Sequence, residues 1–334
     1  MWRASSRTGR GRRRASNGAA HFAPNGGEGT FRAHPTQPDA PATCMTGTKS
    51  ETKRASTSDP TRDDAAGPNG AAAAFRASQL ALFGASVLKQ AKWRALREAA
   101  GSSAGLDALD LGSDNGVISH LFRQAGGRWT SADLTDETVT AIRAMVGERV
   151  HRLAGPALPF PDAAFDLVVV VDLLEHVADD RALLAEIARC LRPGGRAVLN
   201  VPNLTRHALL PKLRHAIGLT DAWHGHLHAG YDRQSLAALL PPTLRVTGAR
   251  SYSRFFSQLL DTALNWAFLR KARGRAVSTA KGMVVTGSAV DARSLATLRR
   301  VYPLMRAFTA LDALLPLSRG YFSTYQLEKQ GAGA

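Results

Sequence analysis

Apolar and polar positions follow two different rhythms along the centre of the chain. Between residues 108 and 203, short apolar runs alternate with segments whose apolar residues have the spacing of an amphipathic helix. This order indicates repeated β-α-β units, and therefore a parallel sheet with helices on both faces. The predicted strands are 106–111, 128–134, 150–153, 165–174 and 194–203, and the predicted helices between them are 117–124, 136–147 and 180–191.

The pattern changes on either side of this alternating centre. Before it, helical spacing begins near Phe75; after it, we expect a helix over 233–240, a strand over 243–253, two longer helices and a closing strand over 320–328. The two longer helices carry apolar stripes. The first stripe is Phe256, Leu259, Leu260, Ala263, Leu264, Ala267 and Phe268, and the second is Leu295, Leu298, Val301, Tyr302, Met305, Phe308 and Leu311.

These patterns divide the chain into four parts. We expect a disordered basic tail over 1–75, a core over 76–253, a helical insertion over 254–318, and a closing strand with a short tail over 319–334. The first part is rich in Ser, Thr, Gly, Pro, Ala and Arg, so it cannot bury enough apolar surface to offset its ordering entropy. Its basic run suits a solvated tail or contact with RNA or acidic lipid.

Charge and cysteine content limit the class of protein. The net charge is +16, but it divides into +5 for residues 1–75, −1 for 76–203 and +12 for 204–334. A neutral core with a basic C-terminal part does not suggest a nucleic-acid binder, whose basic residues would be spread more evenly. Cys44 and Cys190 are the only cysteines, which suits a reducing compartment, so we expect a cytoplasmic protein. We find no apolar secretory segment and no aliphatic run long enough for a bilayer span.

Three aspartates follow neighbouring strands of the predicted sheet. Asp110, Asp133 and Asp172 lie at or near the carboxyl ends of the first, second and fourth strands, where open parallel sheets bind ligands. The first strand leads into a glycine loop, 112–116, in which Asp114 replaces the middle glycine of a dinucleotide fingerprint. A carboxylate there would repel a pyrophosphate and favour a cofactor with a cationic end. Asp133 can bind a ribose, which NAD and S-adenosylmethionine both contain.

The central block decides between these cofactors by resemblance. The segment LPFPDAAFDLVVVVDLLEHVADDRALLAEIARCLRPGGRAVLNVPN, residues 158–203, closely resembles the type-11 group of class I S-adenosylmethionine-dependent methyltransferases. DLGSDNG, residues 110–116, then resembles motif I of that family, and residues 225–240 resemble its G-H-x-x-x-[FY] segment. The resemblance implies an α/β, Rossmann-like fold, with a mainly parallel seven-stranded sheet, helices on both faces and a C-terminal helical insertion.

The same resemblance implies which residues hold S-adenosylmethionine. It assigns the methionyl end to the loop, the ribose to the end of the second strand, and the methyl-donor pocket to the end of the fourth. The implied cofactor-binding residues are Asp110, Gly112, Ser113, Gly116, Asp133, Leu134, Gly155, Asp172 and Leu173. Two departures from the family are Asp114 in the loop and Ala154 at the place of an adenine-binding acid, for which Gly155 could substitute through its backbone.

Three residues are candidates for catalysis. Methyl transfer from a sulfonium requires the acceptor atom to lie in line with the methyl group, and a base is needed only for a hydroxyl or protonated amine. We therefore expect His226, Tyr231 and His176 to act on the acceptor, most simply in O-methylation. Loop packing is the alternative for His226 and Tyr231, and a core role is the alternative for His176.

Two histidine patterns raise the question of a metal. HGHLH, residues 224–228, lacks an accompanying carboxylate or cysteine at close spacing. Asp172, Glu175 and His176 resemble the acidic-acidic-histidine site of quinone-precursor O-methyltransferases, but family members without metal also have L-E-H. We predict no metal.

The acceptor and the basic C-terminal helices leave several hypotheses open. The helices can form a lid, a dimer face or a patch that contacts anionic membrane from the cytoplasmic side. We expect a small-molecule, lipid-linked or glycan-linked acceptor. The first rival is an RNA or protein methyltransferase, although no N-P-P-Y-like tetrapeptide follows the fourth strand. The second is a non-catalytic binder with a degenerate pocket.

Overall fold

One seven-stranded sheet forms the centre of the structure, a computed structural model that describes residues 68–204, 210, 214, 216–219, 225–271, 292–315 and 320–331. Its strand order is β3-β2-β1-β4-β5-β7-β6, and β7 alone runs antiparallel to its neighbours. The predicted fold class is thereby confirmed. The strands are β1 (Asp107–Leu111), β2 (Arg128–Asp133), β3 (Val150–Arg152), β4 (Phe165–Val171), β5 (Leu191–Pro202), β6 (Leu244–Tyr252) and β7 (Phe322–Lys329).

The helices lie where the apolar spacing predicts them, with one difference at the N-terminal end. The first helix begins at Pro68 rather than near Phe75, and the rest of the predicted disordered tail lies outside the described residues. The helices are α1 (Pro68–Gly84), α2 (Val87–Ala100), α3 (Val117–Gln124), α4 (Asp136–Val146), α5 (Asp180–Cys190), α6 (Arg233–Leu239), α7 (Phe255–Lys271) and α8 (Ala292–Ala310), with 3-10 turns at Leu174–His176 and Leu311–Leu314.

Side-chain caps start four of these helices. Ser86, Thr135, Asp179 and Asp232 each accept a hydrogen bond from a backbone N–H in the first turn of α2, α4, α5 and α6. Each such cap contributes about 1 kcal/mol, because it satisfies an N–H that has no partner within the helix. Thr135 comes two residues after the end of β2, so its cap also helps to set where that strand ends.

The core lies on both faces of the sheet. In β4, Val168 and Val170 pack into one apolar cluster, while Val169 and Val171 pack into the other. This two-sided burial explains why β4 is apolar from Leu167 to Val171, as expected of a central parallel strand. Each buried valine stabilises the fold by roughly 1.5–3 kcal/mol. The rigid centre holds the carboxyl ends of β1, β2 and β4 at one edge.

The apolar stripe predicted on α7 is half-buried at Phe256, Leu259 and Leu260 and exposed at Ala263, Leu264 and Ala267. The fully buried residues of this helix are instead the polar Ser257, Gln258 and Thr262. Polar contacts explain the orientation: buried Arg214 donates to the Asp261 carboxylate at 2.7 Å and to the Thr262 hydroxyl at 3.2 Å. Buried polar groups need such partners, so this network determines which side of α7 turns inward.

The second predicted stripe, on α8, is partly correct. Met305 is buried, and Leu295, Leu298, Tyr302 and Phe308 are half-buried, but Val301 and Leu311 are exposed. Among the described helices, none is by itself long and apolar enough to cross a bilayer; only α1 and α2 together pass such a test of length and composition, as a pair bent by 92°.

Candidate active site

The loop between β1 and α3 alternates in backbone handedness. Gly112 (φ 86°), Asp114 (φ 50°) and Gly116 (φ 77°) all adopt left-handed conformations. Aspartate is one of the few residues with a side chain that tolerates this region. Asp114 therefore keeps the left-handed backbone conformation that the middle glycine of the fingerprint would have at this position. Gly116 cannot be replaced as easily, since a Cβ there would lie 2.8 Å from the Cα of Ile142.

Asp110 lies beneath this loop and is completely buried. Its carboxylate accepts hydrogen bonds from the hydroxyls of Ser113 at 2.6 Å, Ser119 at 2.5 Å and Ser131 at 2.6 Å. Asp110 and Ser113, which the sequence assigned to the cofactor, thus bond to each other. These contacts make them positioning residues that fasten the loop to β1, β2 and α3.

Asp133 joins the same loop to the end of β2. Its carboxylate accepts hydrogen bonds from the backbone N–H of Leu134 at 2.7 Å and of Asp114 at 3.1 Å. The carboxylate thereby lies at the junction of loop and strand, and its role in binding the ribose stays a prediction. Leu134 beside it is half-buried. Gly155 occupies the turn after β3, and no atom lies within 4 Å of the position where its Cβ would be.

A lysine from α2 reaches the end of β4, and sequence reasoning missed it. The ammonium of Lys92 forms an ion pair with the carboxylate of Asp172. Burial lowers the pKa of Lys92, but the charge of Asp172 and its hydrogen bond outweigh burial, so the pKa is raised and Lys92 stays protonated. Lys92 lies four residues before the buried Leu96, so it shares the inward face of α2. A charged residue on that face was the available signal.

Two further polar residues complete this network. The side-chain amide of Asn200 in β5 donates to Asp172, and the hydroxyl of Tyr252 in β6 donates to the Asn200 carbonyl at 2.7 Å. Burial raises the pKa of Tyr252 well above its usual value, so it remains a donor. Sequence reasoning missed both residues. Asn200 interrupts an apolar strand, and that was its signal. Leu173, predicted to line the methyl-donor pocket, is instead fully buried in the core.

Glu175, His176 and His226 converge beside Asp172. The 3-10 turn after β4 carries the first two, and the backbone N–H of Leu227 donates to the Glu175 main-chain oxygen at 2.8 Å, which brings His226 to the turn. One ligand atom from each of the three side chains lies within 4.8 Å of the others. Two of the three predicted catalytic residues, His176 and His226, therefore lie together, with ring centroids 5.0 Å apart.

The hydrogen bonding of His176 defines its tautomer. Nδ1 lies 2.9 Å from the main-chain oxygen of Gly225. A carbonyl oxygen only accepts, so Nδ1 must carry the hydrogen, and Nε2 of the neutral ring has the lone pair. His176 can thus accept a proton or bind a cation through Nε2. His224, part of the HGHLH segment, lies outside the described residues.

The structure gives Tyr231 a structural role instead of the predicted catalytic one. The side chain is 3% exposed, and its hydroxyl donates to the carboxylate of Asp180 at 3.0 Å. Burial raises its pKa, so it cannot serve as a base near neutral pH. His228 is also used in packing, since its Nε2 donates to the main-chain oxygen of Val177 at 3.0 Å.

The residues at this edge fit S-adenosylmethionine. That cofactor has a ribose, an adenine and a cationic methionyl end, and it has no phosphate. Asp133 suits the ribose, and the space beside Gly155 suits the adenine. Asp114 and Asp133 lie close to the start of α3, where they would repel a pyrophosphate. Asp172 at the end of β4 suits the methyl-donor side.

Comparison with known proteins agrees with this assignment. Residues 109–199 match the family model described as Methyltransferase domain. A demethylmenaquinone methyltransferase from Tropheryma whipplei (strain Twist) is 32% identical over 118 residues, which cover 34% of this chain and 49% of the relative. A ubiquinone biosynthesis O-methyltransferase from Xanthomonas oryzae pv. oryzae (strain PXO99A) is 33% identical over 109 residues, covering 30% and 45%. The chain spans about half the length of the curated relatives it matches.

The solved [4+2]-cyclase SpnF has the same fold, with a TM-score of 0.50, 14% identity and coverage of 79% of this chain and 96% of that one. The family-model match and the fold support a class I S-adenosylmethionine-dependent methyltransferase domain that contains residues 109–199, with S-adenosylmethionine as its cofactor. Within that class, residues 109–199 match the model of the type-11 methyltransferase group.

The left-handed conformation of Asp114 leads to the first prediction. We expect Asp114→Gly to change the Kd for S-adenosylmethionine less than about threefold, because glycine adopts the same backbone. The Asp114 charge, moreover, acts on Lys89 and Lys92 of α2. Gly116→Ala is the contrasting variant, and its Cβ overlap should weaken binding at least about tenfold. Calorimetric titration measures both. A tenfold loss with Asp114→Gly would instead place its carboxylate on the cofactor.

Proposed function

We propose that the chain transfers a methyl group from S-adenosylmethionine to an oxygen atom of a small-molecule, lipid-linked or glycan-linked acceptor. The observation that carries this proposal is the cluster of Glu175, His176 and His226 beside Asp172, at the carboxyl end of β4. A hydroxyl acceptor must lose its proton as the new O–C bond forms, and a histidine pair with a nearby carboxylate can take that proton.

The roles of the residues follow from their contacts. S-adenosylmethionine supplies an electrophilic methyl group on a sulfonium. In our proposal, Asp133 holds the ribose, and the loop 112–116 holds the methionyl end. The acceptor hydroxyl lies against His176 and His226, and Glu175 stabilises the imidazolium that forms. Lys92 stays protonated, so it does not act as the base; it compensates the charge of Asp172.

The name of one relative, a ubiquinone biosynthesis O-methyltransferase, supports an oxygen acceptor. Another relative is named a demethylmenaquinone methyltransferase, and that name specifies no acceptor atom. Both names refer to quinone compounds. The Asp172–Glu175 segment after β4 differs from the N-P-P-Y-like tetrapeptide of amino-group methylation of bases, which disfavours the RNA alternative. We also propose a cytoplasmic location, which the free, buried thiol of Cys190 supports.

A labelled-cofactor screen tests the proposal. The protein is incubated with methyl-labelled S-adenosylmethionine and matched acceptors that differ only in the group offered, such as a phenol, an aniline and a thiophenol, together with RNA and a peptide. We expect label on the phenolic oxygen. Label on nitrogen, RNA or peptide alone would overturn O-methylation, and failure to bind S-adenosylmethionine at all would favour a non-catalytic protein.

The same cluster leads to a prediction about metal. Methyl transfer from a sulfonium requires no Lewis acid, so we expect methyl transfer to persist at more than about half its rate after dialysis against a chelator. Elemental analysis of the purified protein provides the control. A loss of activity that Mg²⁺ or Zn²⁺ restores would show that Glu175, His176 and His226 hold a metal, and our prediction of none would be wrong.

A further inference from the structure

The large exposed apolar side chains of the described residues are concentrated in one region. Seven of the eight lie on α7, α8 or the 3-10 turn that follows α8; the other is Leu227. Leu304 and Leu314 are each 72% exposed. Large apolar side chains that are exposed to solvent in one region mark a binding surface. The seven residues, here called the apolar patch, are Phe255, Leu264, Trp266, Val301, Leu304, Leu311 and Leu314.

The orientation of α7 shows that the patch is built into the fold. The polar residues Ser257, Gln258 and Thr262 point inward, where Arg214 bonds to Asp261 and Thr262. On the rest of the helix, Phe256 packs against Phe308 of α8, with ring centroids 5.3 Å apart, while Leu264 and Trp266 remain exposed. A helix that only contributed to the core would bury its apolar residues and expose its polar ones.

Charge identifies the partner. The two helices and the turn contain six basic residues and two acidic ones, and both acids are used internally. Asp261 binds Arg214, and Asp312 accepts from the backbone N–H groups of Phe256 at 2.8 Å and Arg254 at 2.9 Å. The basic residues are Arg270, Lys271, Arg293, Arg299, Arg300 and Arg306.

The arginines of α8 are exposed and form no salt bridge with any other residue that the structure describes. Arg293, Arg300, Leu304 and Leu311 follow one another at helical spacing, so positive charge and apolar side chains share one face. Arg270 packs over the Trp266 ring at 4.1 Å. Apolar side chains flanked by arginines suit the interface of an anionic bilayer, where the former enter the acyl boundary and the latter meet phosphate groups.

We propose that the apolar patch and its arginines dock the protein peripherally on anionic membrane. The site geometry gives this docking a use. α7 begins three residues after Tyr252, which bonds to Asn200 in the site, and Tyr302 of α8 donates to Gln90 of α2 at 2.9 Å, two residues before Lys92. The membrane surface would lie next to the helix and strand that form the acceptor side, within reach of a lipid-linked acceptor.

Vesicle flotation of the full-length protein tests the docking. We expect it to float with vesicles containing about 30% phosphatidylglycerol, and poorly with pure phosphatidylcholine. Leu304→Ser with Leu314→Ser should weaken partitioning about tenfold or more, because two apolar anchors are lost. Arg293→Gln and Arg300→Gln should each weaken partitioning to the vesicles about fivefold, and this loss should be smaller at high salt.

Two comparisons keep the test specific. Leu227→Ser removes the exposed leucine outside the patch and should leave flotation unchanged. If vesicle binding survives all patch variants, it is due to the basic residues of the N-terminal part, and the proposal is overturned. Absence of flotation, together with a dimer in solution that the Leu304→Ser, Leu314→Ser protein cannot form, would show a contact between copies instead. Flotation needs no turnover, so its result is independent of the methyl-transfer assay.

Discussion

Replacing Asp133 with alanine should weaken the binding of S-adenosylmethionine about 100-fold, the largest loss we expect for any residue that holds the cofactor. This factor corresponds to about 2.7 kcal/mol, the range of one or two charge-assisted hydrogen bonds. Asp133 contributes twice: in our assignment it binds the ribose hydroxyls, and its carboxylate also fixes the N–H of Asp114 and so the position of the loop. Calorimetric titration with S-adenosylmethionine measures the Kd.

The matched control is Asp136→Ala. Asp136 lies three residues further along, in the first turn of α4, with an exposed carboxylate that forms only a surface ion pair with Arg152 at 3.3 Å. Its loss should change the Kd less than about twofold. Asp133→Asn keeps one acceptor oxygen, so its Kd should lie between those of Asp133→Ala and Asp136→Ala. If Asp133→Ala binds S-adenosylmethionine as the native protein does, while thermal unfolding shows it folded, the ribose assignment is wrong.

The sheet and its order of elements could be predicted because each element carries a local signal. β4 is apolar from Leu167 to Val171, since both of its faces are covered there, and α4 begins at a threonine cap. The carboxyl ends of parallel strands meet at one edge, so the closeness of the loop, Asp133 and Asp172 follows from spacing alone. The role of Asp110 did not follow, because its three serine partners come from different segments.

The acceptor side was harder to predict because its contacts join residues far apart in the chain. Lys92 and Asp172 are 80 positions apart, and Tyr231 and Asp180 are 51 apart. Tyr231 was interpreted as catalytic because, with His226, it could act as a base on the acceptor; only the structure shows that its hydroxyl is used in the core. α7 shows the same limit, since a buried arginine, rather than the apolar period, decides which side faces inward.

His226→Gln and His176→Gln should each lower kcat for a hydroxyl acceptor about 100- to 1000-fold, the usual contribution of a positioned base. The Kd for S-adenosylmethionine should change less than about twofold, because neither ring contacts the ribose side. Glutamine keeps hydrogen-bonding groups but cannot be protonated near neutral pH. The acidic limb of the pH profile of kcat should therefore disappear. In both variants, kcat should fall less for a more acidic phenol than for a weakly acidic one.

Two neighbouring residues separate catalysis from packing. Tyr231→Phe loses a buried hydrogen bond to Asp180 and should lower the free energy of unfolding by about 1–2 kcal/mol, with kcat within about threefold of the native value. His228→Gln, in the same segment as His226, should also keep most of its activity. If Tyr231→Phe loses as much kcat as His226→Gln, the hydroxyl of Tyr231 acts on the acceptor after all. Because burial already holds that hydroxyl protonated and bonded to Asp180, such a result would require the segment at 225–231 to rearrange when the acceptor binds.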